Sequence, residues 1–84
     1  MIIGRVVSNV VSSRKYDSLQ GLKLLVVEPY YGEKKDYFIA ADVIGAGVGE
    51  LVLITQGEAT KYALDRKAPV DSIVVGIIDN EPTI

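Results

Sequence analysis

The sequence predicts a mostly β protein: a small five-stranded barrel with one short helix between the fourth and fifth strands. Three observations carry this expectation. Val and Ile are frequent and cluster in runs of strand length, as β-branched residues do on a pleated surface. Short polar or glycine-bearing stretches separate the runs and read as turns. At 84 residues the chain has room for one small core, so residues 1–84 are read as one domain.

The first strand is expected at residues 2–11. Residues 12–21 follow as a polar loop containing Ser, Arg, Lys and Asp. A second strand covers 22–28 and meets Pro29, which cannot donate to a ladder. Residues 30–36 form a charged connection around Gly32, and 37–44 form the third strand. Gly45-Ala46-Gly47-Val48-Gly49 then forces a tight loop with little Cβ bulk. The fourth strand is placed at 50–55. Thr55-Gln56-Gly57-Glu58 matches a capping box, with a hydroxyl three residues before a carboxylate. Ala59, Tyr62 and Ala63 then share one face of a short helix. Arg66 and Lys67 lie where the helix dipole favours cations, and Pro69 stops it. The last strand is 72–78, followed by a tail at 79–84.

Several strands carry adjacent apolar pairs: Val6-Val7, Val10-Val11, Val26-Val27, Val74-Val75 and Ile77-Ile78. Neighbours in a strand point to opposite faces, so these strands need cover on both sides. Hydrophobic residues make up 49% of the chain, whereas a domain this small buries only roughly 60% of its unfolded surface. A second subunit is the expected source of the extra cover. Five short strands and one helix suggest a closed barrel of the OB kind, with the helix one connection later than usual.

Composition excludes much chemistry. The chain has no His and no Cys, which removes Ser-His-Asp and Cys-His catalysis, Cys/His zinc sites, haem ligation and disulfides. Nine Lys plus Arg against eleven Asp plus Glu give a net charge of −2, the wrong sign for a nucleic-acid binder that works by phosphate neutralisation. The start, Met1-Ile2-Ile3-Gly4-Arg5, lacks the pattern of a secretory signal. The longest apolar run, Ile73-Val74-Val75-Gly76-Ile77-Ile78, is far short of the roughly 18–20 residues that span a bilayer. A soluble cytoplasmic protein that binds neither membrane nor nucleic acid is expected.

The remaining motifs each have a plain reading. The glycine loop has GxGxG spacing, not GxGxxG, and is followed by Glu50 and a strand where a phosphate site needs a helix. A turn requiring positive φ or close backbone approach is the simpler account. Ser12-Ser13-Arg14-Lys15 matches S-x-x-K, but none of that nucleophile motif's partners is present. Asp42 and Glu50 flank the glycine loop, and paired carboxylates can do acid–base work or bind a hard cation; the alternative is that they accept loop amides and hold the turn, and Asp71 and Asp79, which bracket the last strand, have the same plain reading. Five of six aromatics, Tyr16, Tyr30, Tyr31, Tyr37 and Phe38, lie between positions 16 and 38, yet adjacent strand positions cannot form one stacking platform. No catalytic residue, metal ligand or cofactor is assigned, and the chain is read as a non-enzyme.

Three blocks carry a family resemblance. They are Arg14-Lys15 with Ser18-Leu19-Gln20-Gly21-Leu22-Lys23-Leu24-Leu25-Val26-Val27, then Asp42-Val43-Ile44-Gly45-Ala46-Gly47-Val48-Gly49-Glu50-Leu51-Val52-Leu53, then Pro69-Val70-Asp71-Ser72-Ile73-Val74-Val75-Gly76-Ile77-Ile78-Asp79. In this order they resemble the EutN/CcmL family, the pentameric vertex proteins of bacterial microcompartment shells. One departure lies at the helix, where a Gly-Ser-Ser-Ala-Arg-like stretch is replaced by Gly57-Glu58-Ala59-Thr60-Lys61.

The resemblance implies a five-stranded barrel, a cyclic homopentamer, and a place at the twelve corners of a shell faceted by hexameric proteins. On that reading Gly45, Ala46 and Gly47 are expected at the five-fold axis or in the subunit contact. Ser12, Ser13 and Arg14 are the second choice for lining the axial opening. Asp42, Gly49 and Glu50 form the signature turn. An OB-like binding module without shell function is the alternative; it predicts a monomer or dimer with a charged or aromatic groove.

Overall fold

The computed structural model describes residues 1–11, 15–33, 36–64 and 68–83. Five strands, β1 (Ile2–Asn9), β2 (Lys23–Pro29), β3 (Phe38–Asp42), β4 (Leu51–Gln56) and β5 (Ser72–Ile78), close into a barrel in the order β1-β2-β3-β5-β4. β1 lies between β2 and β4, antiparallel to both. β2–β3 and β4–β5 are also antiparallel, and the seam between β3 and β5 is parallel and short, pairing Ala41 with Ile73 and Asp42 with Val74. Register shifts fall between Val6 and Ser8 on β1 and between Leu53 and Ile54 on β4. Such irregularities increase local twist, which a closed barrel of short strands requires.

The buried apolar residues form two clusters, and of the adjacent apolar pairs Val74-Val75 is divided between them. Val6, Leu25, Val27, Ala40, Ala46, Val52, Ile54 and Val74 fill the barrel interior with no exposed surface. Their neighbours Leu24, Ala41, Ile73 and Val75 join an outer cluster with Leu22 and Leu64. The cover over this outer face comes from the chain itself. A 3₁₀ turn at Asp17–Leu19 contributes Leu19, and α1 (Thr60–Ala63) with its flanks contributes Ala63, Leu64, Ala68 and Val70. This corrects the expectation that the chain is too short for a second layer of its own: part of the outer face of β2, β3 and β5 is covered within the chain, while Ile39 on β3 stays exposed. Apolar surface is also left open beside β1 and β4, where Met1, Ile3, Pro29, Tyr31 and Leu53 line a groove of about 370 Å³.

The helix differs from its expected form. Thr55 does not cap it. Thr55 is buried in β4 opposite Ile73, and the chain bends after Gln56 through a 3₁₀ turn (Gly57–Ala59) into α1. Among the described residues no side chain caps either piece, and Glu58 instead pairs with Lys61 at 2.9 Å. Tyr62, expected on the apolar face, is 84% exposed. Arg66 and Lys67 lie outside the described residues. Among the described residues no helix is long and apolar enough to cross a membrane.

Candidate functional site: the glycine turn between β3 and β4

Asp42 ends β3 two residues before the expected boundary because its side chain turns the backbone. One carboxylate oxygen, Oδ1, accepts the amides of Ile44 at 2.9 Å and Gly45 at 3.1 Å; the other, Oδ2, accepts that of Ala46 at 2.7 Å. Glu50 does the same from the far side, its Oε1 accepting the Gly47 amide at 2.6 Å. Four consecutive loop amides are thus taken by two side chains of the same loop. Gly45 and Gly49 have φ of 102° and 93°, a conformation that side-chain-bearing residues rarely adopt.

Neighbouring strands lock the turn in place. Lys23 stands opposite Asp42 in the β2–β3 register. Its Nζ lies 3.6 Å from Asp42 Oδ2 and donates to the Ala46 carbonyl. The Gly49 amide donates to the Val6 carbonyl at 2.8 Å, the Val6 amide to the Glu50 carbonyl at 3.0 Å, and Arg5 Nη1 to the Gly49 carbonyl at 2.8 Å. The Asp42 carboxylate is wholly buried, and burial of a charge is tolerated where hydrogen bonds and a counter-ion surround it.

This geometry decides between the readings of the loop. A phosphate cradle needs free amides aimed at a ligand, and here Asp42 and Glu50 fill that role internally. The same contacts tie both oxygens of Asp42 and one of Glu50 to the turn. Among the described residues no group of three His, Cys, Asp or Glu side chains is arranged to hold a metal ion. Ala46 points into the barrel interior, so its small size serves the core. Gly45 is exposed and Gly47 half-buried, and Val43, Ile44 and Val48 present an exposed apolar rim around them. Ser12, Ser13 and Arg14 lie outside the described residues. The aromatics do not assemble into a platform: Phe38 packs against the barrel core, Tyr30 and Tyr31 meet edge-on at 4.9 Å, and Tyr16 and Tyr37 stand exposed.

Sequence reasoning missed Lys23 and Arg5. Their roles depend on strand register, and no local motif marks either position.

The site is thus a turn of a closed five-stranded barrel, with its Ile44, Gly45, Ala46 and Gly47 amides held by Asp42 and Glu50. The chain belongs to the family described as ethanolamine utilisation protein EutN/carboxysome, which it matches over residues 1–79. It is 43% identical over 84 residues to the carboxysome shell vertex protein CcmL of Thermosynechococcus vestitus, covering 94% of this chain and 84% of that protein. It is 35% identical over 89 residues to the bacterial microcompartment shell vertex protein GrpN of Rhodospirillum rubrum, covering 100% and 99%. The solved structure of GrpN, described as a pentameric microcompartment shell protein, superposes with a TM-score of 0.86 at 34% identity and covers all of both chains. That of Gloeobacter violaceus CcmL gives a TM-score of 0.84 at 41% identity, covering 99% of this chain and 90% of that one.

Proposed function

We propose that this chain is a structural vertex protein, five copies of which form a ring that caps the corners of a microcompartment shell in the bacterial cytoplasm. The observation that carries the reading is the end-to-end likeness to the pentameric shell protein of Rhodospirillum rubrum, with neither chain left uncovered. The role is geometric. A flat sheet of hexamers does not close, and five-fold elements supply the curvature that lets it do so. On this reading residues 1–84 act as one vertex domain, its partners are four further copies and hexameric facet proteins, and neither nucleic acid nor membrane is bound.

No chemical step is asked of the chain. The commitment of Asp42 and Glu50 to loop amides supports this. The turn carrying Gly45, Ala46 and Gly47 is assigned to the subunit contact or the five-fold axis, with its rim of Val43, Ile44 and Val48 supplying apolar surface. A closed ring requires a heterologous contact, in which one patch meets a different patch on the next copy.

The test compares shells assembled with and without the protein, with no other vertex protein present, by electron microscopy and a leakage assay. Without it, facets should still form while the bodies stay open, elongated or leaky. Equally closed and equally tight shells in both cases would reject the role.

A further inference from the structure

The segment after β5 is fastened to the barrel. Glu81 Oε1 accepts the Tyr30 hydroxyl and lies 4.0 Å from Arg5 Nη2. Both partners are themselves anchored. The Tyr30 amide donates to the Ile3 carbonyl at 3.0 Å and its ring meets Tyr31 edge-on, while Arg5 also donates to the Gly49 carbonyl. Glu81 and Asp79 form one side of a cleft of about 330 Å³ whose other side includes Arg5, Gly49 and Glu50. The match to the family model ends at residue 79, two positions before Glu81.

We propose that residues 79–83 are a releasable strap, held by Glu81 on a carboxylate receptor made of Tyr30 and Arg5, and that its release takes the carboxylate away from Arg5 Nη2 while Nη1 stays on the glycine turn. Glu81 and Arg5 are 63% and 43% exposed at their side chains. Ion pairs this exposed are weak and screened by salt, so the strap opens far more easily than any barrel strand. The shared use of Arg5 places the release next to the turn without requiring the turn to unfold.

The clasp leaves a spectroscopic mark. By accepting its hydrogen bond, Glu81 holds the Tyr30 hydroxyl above the ordinary 10.0; partial burial, the Glu81 charge and Tyr31 add to this, and Arg5 opposes it. Glu28 lines the same corner beside Arg5 and Tyr30. A raised value means that this contribution to the clasp is fully present below the ordinary tyrosine range and is lost as pH rises through the raised one. The Tyr30 hydroxyl therefore keeps its proton, and its role as donor, at neutral pH.

The inference concerns one subunit and can fail or hold independently of the ring. Backbone relaxation by NMR tests it on the full chain. Asn80, Glu81 and Thr83 should have order parameters near the rigid value of about 0.85, and Glu81→Ala should lower them below about 0.6. Tyr30→Phe, which keeps the ring and removes the hydroxyl, should loosen the same residues. In Glu81→Ala the Tyr30 titration should also fall back toward its ordinary value, with β4 amide shifts unchanged. A strap already mobile in the unmodified chain, or equally rigid in both variants, would overturn the proposal.

Discussion

Asp42 receives three backbone amides on two oxygens and has Lys23 as its counter-ion. Its side chain, more than the glycines, sets the path of the turn. Asp42→Ala strands the buried Ala46 amide and removes the partner of Lys23, and should cost on the order of 3 kcal/mol, read as a lowered urea midpoint. Asp42→Asn should recover only part of this, because its NH₂ cannot accept the third amide. Gly4 is the second demanding position. It lies inside the barrel wall, where an added Cβ would run into Val27 Cγ1 and come within 3.1 Å of Ile54 Cδ1 and 3.2 Å of the Glu28 carbonyl. Gly4→Ala should therefore destabilise by about 1–3 kcal/mol through overpacking, although it adds one methyl group and leaves every hydrogen bond in place. Asp42 and Glu50 are legible in the sequence because a turn contact is local. Lys23 is not, since its proximity to Asp42 is created by the β2–β3 register.

At the scale of elements, all five strands are legible from β-branched clusters, and β5 is found at its expected bounds. The misreadings have one physical origin: tertiary pairing overrides a local pattern. Thr55 has the sequence context of a cap but is needed in β4 opposite Ile73. The outer cover of β2, β3 and β5 could not be assigned from spacing, because Leu19, Leu22 and Leu64 reach it from segments far apart in the chain. Leu64→Ala should remove part of that cover and cost roughly 2–3 kcal/mol. Tyr62→Ala, on the exposed side of the same helix, should stay within about 0.5 kcal/mol. Thr60 behaves differently. Its hydroxyl is buried without a hydrogen-bond partner among the described residues, so Thr60→Val, which keeps the branched shape, should raise stability by up to about 1 kcal/mol. Chemical denaturation of the three variants checks the series.

For the whole molecule, the central claim is that this barrel works as one-fifth of a ring. The chain covers part of its own β2–β3–β5 face and leaves an apolar groove beside β1 and β4, together with the exposed rim of Val43, Ile44 and Val48. Two separate apolar patches on one subunit suit a cyclic contact better than a self-matching dimer. The net charge of −2 and the engaged carboxylates give no competing reason for the fold's surface. Native mass spectrometry of the purified protein at micromolar concentration tests the claim most directly. A dominant species of five chain masses is the predicted result, and a dominant monomer, dimer or hexamer would contradict it.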